Sequence, residues 1–254
     1  PLAGVPHHAV DGYLTRLIAA GHKVAIVEQM DREETKGLMG REVVRVITPG
    51  TVVEPALLQD KCNNYLATIA CQGGRVGLAY VDITTGEFRT TLLSGAQANQ
   101  DTWQELERLQ PAEVLISDRA APPPEITANY NVTLYPDWHF DHGNAQQALL
   151  EHFGVASLDG YGCAGLPLAV SAAGAIVQYL AETQKSALQL LTRLSTYSTQ
   201  AFMTLDPATR RNLELAQSIR SGKVQGSLLG VLDDTKTAMG GRLLRQWISQ
   251  PLLD

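Results

Sequence analysis

Three runs rich in apolar and β-branched residues, Tyr65–Cys71, Val76–Thr84 and Glu87–Leu93, follow one another with almost no chain between them. They are joined by Gly73-Gly74 and by Thr85-Gly86. Links this short reverse the chain without room for a crossover, and glycine supplies the φ > 0 that such turns need. The three runs must therefore be antiparallel neighbours in one sheet. Whatever else the chain builds has to pack on that meander.

The chain after the meander changes period. Trp103, Leu106 and Leu109, closed by Pro111, predict an amphipathic helix, and Val114-Leu115-Ile116 a buried strand. Ala121-Pro122-Pro123-Pro124 reads as a loop, Val132-Thr133-Leu134 as a fifth short strand, and 145–153 and 168–182 as two further helices. Three antiparallel strands followed by alternating helices and strands predict an α/β unit with a mixed five-stranded sheet. Upstream, Asp11 is expected to cap a helix reaching Ala20, with Tyr13, Leu14, Leu17 and Ile18 on one face and Gly21 at its end. Two β-rich runs, 23–29 and 42–48, flank a polar loop at 31–40, and Pro49-Gly50 marks a boundary. From Ser195 onward the pattern is helical. Asp206 and Pro207 start one helix that carries Leu213 and Leu215 and ends before Gly222; Leu228–Leu232 predicts a second, and Leu243, Leu244, Trp247 and Ile248 a third.

With 44% apolar and 18% charged residues, the 254-residue chain has the composition of a protein that builds real cores. It contains no apolar run long enough for a bilayer, and Pro1-Leu2-Ala3 opens without the basic and apolar regions of a signal peptide, so no secretory leader is expected. Cys62, Cys71 and Cys163 lack a C-x-x-C spacing, so they predict buried thiols in a soluble, cytoplasmic protein rather than a disulfide or zinc framework. Three apolar-striped helical segments run up to Asp254 with nothing after them to cover those stripes, so the chain is expected to be a piece of a longer protein. Its charge is uneven: residues 51–205 hold seven Lys/Arg against fifteen Asp/Glu, a net of −8, whereas 1–50 are balanced and 206–254 carry seven against five. Phosphate neutralisation drives nucleic-acid affinity, so the acidic middle is expected to meet proteins rather than DNA.

Few motifs point to chemistry. Gly160-Tyr161-Gly162-Cys163-Ala164-Gly165 spells G-x-G-x-x-G, but the segment before it is helical rather than a buried strand, so it predicts a bent loop leading into a helix. Asp82 and Glu87 are the carboxylates that a two-metal nuclease site would use, yet the later strand runs 114–116 and 132–134 contain no acidic partner, and Asp82 beside Thr84 and Gly86 predicts a turn cap. His139 and His142 have helical spacing but lack a third strong ligand nearby, and His7 and His8 are read the same way. The sequence has no G-x-S-x-G, no G-x-x-x-x-G-K-[ST] and no Phe-x-Glu. Arg210, Arg211, Arg220, Lys223, Arg242 and Arg245 form the densest basic set. A solvated helix face with pairs such as Arg210 and Glu214 is expected there, with Arg210 and Arg211 as the candidates for contact with a DNA backbone.

Several strings, in order along nearly the whole chain, carry a family resemblance. They are Ala3-Gly4-Val5-Pro6-His7-His8-Ala9-Val10, Val24-Ala25-Ile26-Val27-Glu28-Gln29, Val43-Val44-Arg45-Val46-Ile47-Thr48-Pro49-Gly50-Thr51, Thr204-Leu205-Asp206-Pro207-Ala208-Thr209-Arg210-Arg211-Asn212-Leu213-Glu214, Gly226-Ser227-Leu228-Leu229-Gly230-Val231-Leu232-Asp233 and Ala238-Met239-Gly240-Gly241-Arg242-Leu243-Leu244-Arg245-Gln246-Trp247. Together they resemble the MutS family of DNA mismatch repair proteins, most weakly over 120–138. The resemblance implies that 1–48 are the end of a mismatch-binding domain, 49–195 a ribonuclease H-like connector domain and 196–254 the start of a helical core or lever domain. It implies a non-catalytic piece that couples mismatch recognition to the family's ATPase. In the full-length family the cofactors are ATP and magnesium, mismatched duplex DNA and MutL are the partners, and the protein is a homodimer. No cofactor, metal or catalytic residue is expected within this piece. The polar side of the helix bearing Gln146 and Gln147 is expected to meet MutL. A metal-dependent ribonuclease H-like nuclease using Asp82 is the rival reading. Residues 1–48, lacking the first strands of their domain, are expected either to lean on the connector or to be partly unfolded.

Overall fold

The computed structural model describes residues 2–29, 40–203 and 205–253. The polar loop expected at 31–40 lies outside the described residues except for Gly40. The first element is α1 (Val10–Ala19), followed by β1 (Val24–Gln29) and β2 (Arg41–Ile47), which pair antiparallel with a bulge at Ile26/Val27. Leu14 of α1 is buried against Ile47 and Val52, with Ile18, Val24, Leu57 and Leu58 around them. Asp11 is not the cap. A 3-10 turn at His7–Ala9 runs straight into the helix, so Ala9 takes the cap position and Asp11 falls inside the first turn, where its charge still favours the helix dipole. Gly21, at φ 78°, ends the helix as expected.

The meander forms as the short links require: β3 (Leu66–Gln72), β4 (Arg75–Asp82) and β5 (Glu87–Leu93) are successive antiparallel neighbours, joined by two residues and by four. Gly73, Gly74 and Gly86 all have positive φ at the turns. After α2 (Ala98–Leu109), β6 (Glu113–Ser117) joins β3 in parallel. Then α3 (Pro124–Asn129) leads to β7 (Val132–Tyr135), which joins β6 in parallel. Two helices, α4 (His142–Phe153) and α5 (Pro167–Thr183), precede β8 (Ser195–Thr196) on the far edge beside β5. The strand order is β7-β6-β3-β4-β5-β8.

The sheet therefore has six strands, not five. β8 is only two residues long and has no period of its own; its pairing with Arg89 and Thr90 makes it a strand. The proline run at 121–124 is not all loop either, because Pro124 occupies the first turn of α3, where its missing N–H costs nothing.

Period-2 alternation splits the core in two. Leu66, Ala79, Val81 and Leu115 meet α4 and α5 on one face, whereas Ala67, Ile69, Leu78 and Tyr80 meet Leu106 and Leu109 of α2 on the other. Helix contact is close: a Cβ on Gly77 would lie 2.0 Å from the Leu168 carbonyl oxygen, and one on Gly174 would lie 2.4 Å from Ala145 Cα. The C-terminal part holds α6 (Pro207–Asn212), α7 (Leu228–Leu232) and α8 (Ala238–Ser249). Asp206 caps α6 by accepting the Thr209 N–H at 3.0 Å. That helix stops short of Leu213 and Leu215, so Glu214 lies beyond it at φ 47° and its carboxylate takes Ser218 and the Ile219 N–H instead of Arg210. Among the described residues no helix is long and apolar enough to cross a membrane.

Candidate functional site

Two carboxylates among the described residues are wholly buried, Asp82 at the end of β4 and Glu113 on the first residue of β6, and Glu113 joins the more distant elements. A buried charge survives only where donors replace its water. Here one oxygen, Oε1, accepts the Thr133 hydroxyl at 2.5 Å and the Tyr179 hydroxyl at 2.8 Å. Oε2 accepts the Thr48 hydroxyl and the Gly50 N–H, the latter at 3.0 Å. Lys23 Nζ stands 3.9 Å from Oε1 and 5.6 Å from the Tyr179 ring. Burial pushes the Lys23 ammonium below its usual range, and the Glu113 charge opposes that shift. Burial raises the Tyr179 phenol well above its usual value, and Glu113 adds to the rise. Thr133 belongs to β7, Tyr179 to α5, Lys23 to the approach to β1, and Thr48 and Gly50 to the exit from β2. One carboxylate thus joins the N-terminal unit to the sheet.

Residues 48–65 connect β2 to β3. Gly50 fits where no other residue would, since a Cβ there would meet Glu113 Cβ and a Leu66 methyl at 2.9 Å. At the far end Asn63 Nδ2 and Asn64 N–H donate to Asp82 Oδ2 at 2.8 and 3.3 Å. The other oxygen of Asp82 accepts the Thr84 N–H and hydroxyl at 2.9 and 2.7 Å. Protein donors therefore occupy both Asp82 oxygens, and Asp82 caps the β4–β5 turn as its sequence context predicts. Glu87 accepts the Tyr65 hydroxyl at 2.9 Å. Among the described residues no three His, Cys, Asp or Glu side chains converge as metal ligands.

The C-terminal helices meet this same connection. Lys61 Nζ donates to both Asp233 oxygens at 3.0 Å and to the Thr235 carbonyl at 2.9 Å. Arg242 Nε donates to the Cys62 carbonyl at 3.3 Å, and Gly241 lies on the Lys61 stem. The Thr235 hydroxyl first, then Lys61, lower Asp233 from the ordinary 3.8 to about 2.

A second contact forms around α2. Arg108 donates to Glu105, which also accepts the Tyr197 hydroxyl at 3.0 Å. Burial works against the Arg108 charge, but Glu105 more than compensates and holds its pKa above the ordinary arginine value. Arg210 is half-buried facing this group. Burial first, then the Arg108 charge, lowers its pKa, with Glu105 and Glu107 opposing. Its Nε donates to the Leu205 carbonyl at 3.2 Å, while Arg211 is exposed. A cavity of about 750 Å³ opens between Arg108, Arg210, Tyr197 and Gln250.

The remaining candidates have local explanations. His139 is buried between the Tyr135 and Trp138 rings, with Nδ1 2.8 Å from Gln178 Oε1, whereas Asp141 caps α4. The glycine-rich stretch forms a 3-10 turn at Asp159–Tyr161 and a left-handed Gly162 ahead of α5, the bent loop expected of it. Cys163 is buried, but Cys71 is exposed and Cys62 half-exposed, unlike the buried thiols expected. On α4, Gln147 is exposed and bonds Glu151 at 2.6 Å, and Gln146 is half-buried. Glu113 escaped the sequence reading because its partners are scattered from 48 to 179; its one signal is a charged residue directly before an apolar strand.

Three family models match in succession: MutS domain I over residues 1–56, MutS domain II over 64–192 and MutS domain III over 208–254. Over its whole length the chain is 48% identical to the DNA mismatch repair protein MutS of Symbiobacterium thermophilum and 46% identical to that of Halothermothrix orenii. It is 47% identical to the protein of the same name from Dehalococcoides mccartyi. It spans about 30% of the length of these relatives.

Proposed function

The chain belongs to the MutS family, and from that premise we propose that it is the coupling part of a DNA mismatch repair protein: the end of a mismatch-binding domain (1–48), a connector (49–195) and the start of a helical core (196–254). The carrying observation is that the middle unit is bonded on both sides, through Glu113 to Thr48 and Lys23 of the N-terminal unit and through Lys61 to Asp233 at the C-terminal helices. The strand order, with three antiparallel strands and three parallel additions, two beyond β3 and one beyond β5, supports a ribonuclease H-like reading of the connector. Satisfied Asp82 oxygens favour a structural role for that residue over cleavage.

We assign ATP and magnesium to the full-length protein. The residues here do not fit them, since the sequence has no phosphate-binding glycine loop and the described residues no carboxylate cluster. The same full-length protein is read as a cytoplasmic homodimer that grips mismatched duplex DNA. Within the chain, Arg210 and Arg211 are the candidates for backbone contact, of which exposed Arg211 is the better placed. MutL docks, in this reading, on the polar side of α4 at Gln146 and Gln147. A pull-down with MutL tests it: Gln146→Lys with Gln147→Glu should lower capture at least tenfold, about 1.4 kcal/mol of binding. Unchanged capture would remove that surface from the proposal.

A further inference from the structure

The connection at 48–64 is not a slack linker. Asn64 Nδ2 donates to the Pro49 carbonyl at 2.9 Å, clasping the two ends of the segment into a closed loop. The base of the loop is held to the sheet through Glu113 and Asp82. One flank, Leu57 and Leu58, packs into the N-terminal core with Leu14 and Ile47, and Arg45 of β2 pairs with Glu54 at 2.6 Å. The other flank carries Lys61 and Cys62, both bonded to the α7–α8 region. A single loop therefore touches all three units, and two of them meet through it.

We infer that loop 48–64 is a tether that couples the N-terminal unit to helices α7 and α8 directly, with Glu113 as the positioning residue at its base and Lys61–Asp233 as the bond that opens first. The inference deepens the coupling role proposed above by naming the bonds that carry it. The order of opening follows from burial. Glu113 has no contact with solvent, so releasing it strands a charge and the Gly50, Thr133 and Tyr179 donors. Lys61 is 40% exposed and Asp233 14%, and Asp233 keeps the Thr235 N–H and hydroxyl when the pair parts, so opening it costs less than releasing Glu113. Once it parts, Leu57 and Leu58 lose the anchor on their far side, and the N-terminal core loosens with them.

Hydrogen exchange on the 254-residue chain tests this without DNA, nucleotide or a partner protein, so its outcome is separate from that of the MutL pull-down. Lys61→Met should raise exchange in 238–249 by roughly threefold to tenfold, and should also raise it in 41–51, leaving 66–82 unchanged. Adding Asn64→Ala, which opens the clasp, should abolish the spread to 41–51 while keeping the local effect on α8. A rise confined to 228–249 in the single variant would overturn the tether. So would a uniform rise that includes 66–82, because the bond would then report only global stability. Glu113→Gln supplies the approach from the other end: it should raise exchange in 41–51 and 238–249 together, and a response in 41–51 alone would overturn the coupling. If that variant does not fold, Thr133→Val, which removes a single donor, takes its place with the same two outcomes.

Discussion

Glu113 shows how far one side chain can determine an arrangement of elements. Replacing it with Ala leaves Thr133, Tyr179 and Gly50 as buried donors without an acceptor, with only Thr51 left to take the Thr48 hydroxyl, so denaturant unfolding should show a loss of about 3–5 kcal/mol. Thr133→Val removes one donor and keeps the charge solvated by the other three, and should cost about 1–2 kcal/mol in the same measurement. An Ala variant within 1 kcal/mol of wild type would mean that the carboxylate does not hold the junction. The contrast with Asp82 explains which residues the sequence reveals. Asp82 takes Thr84, two positions away, so its turn is visible in Val81-Asp82-Ile83-Thr84-Thr85-Gly86. The partners of Glu113 lie 20 to 66 positions away, and no local pattern encodes such a meeting.

Elements are legible to the extent that their signal is periodic or their turns are constrained. The meander, α2, α5 and the Asp206 cap follow from spacing and turn chemistry, whereas α3 and β8 are too short for either. Contacts between elements are less legible, because a glycine in a helix reads as a weakness until the helix beside it is known. Gly174 lies where α4 crosses α5, and an added methyl would lie 2.4 Å from the Ala145 backbone. Gly174→Ala should therefore lower thermal stability by about 1–3 kcal/mol, with helix content by circular dichroism unchanged below the transition. The contact of the loop with α7 and α8 is pH-dependent. Asp233 titrates lower in the folded chain than the ordinary 3.8, at about 2. Its contribution is therefore complete above about pH 4 and is lost as pH falls toward 2. Protection factors in α8, exchange corrected for the intrinsic rate at each pH, should fall across that window in the wild type and be flat across it in Asp233→Asn; the same slope in both would assign the effect to other carboxylates.

At the scale of the whole molecule, stability is unevenly shared. The six-stranded sheet has a core on each face, while the described C-terminal helices bury little apolar surface beyond Leu229 and leave Val231, Met239 and Trp247 exposed. Helices α7 and α8 should exchange through local openings, well before the amides of 66–82, which should follow global unfolding. Equal protection in both would show that they fold as one unit. One consequence of the edge strand β8 concerns where the chain can be cut. Ser195 and Thr196 pair with Arg89 and Thr90, Tyr197 N–H donates to the Thr90 carbonyl, and the Thr91 hydroxyl donates to the Tyr197 carbonyl. The family model for the middle unit stops at residue 192, just short of this cover. A middle unit excised there would bare the backbone of β5, the kind of open strand edge that recruits another chain. It should aggregate, whereas the same unit extended to Ser198 should stay monomeric by light scattering.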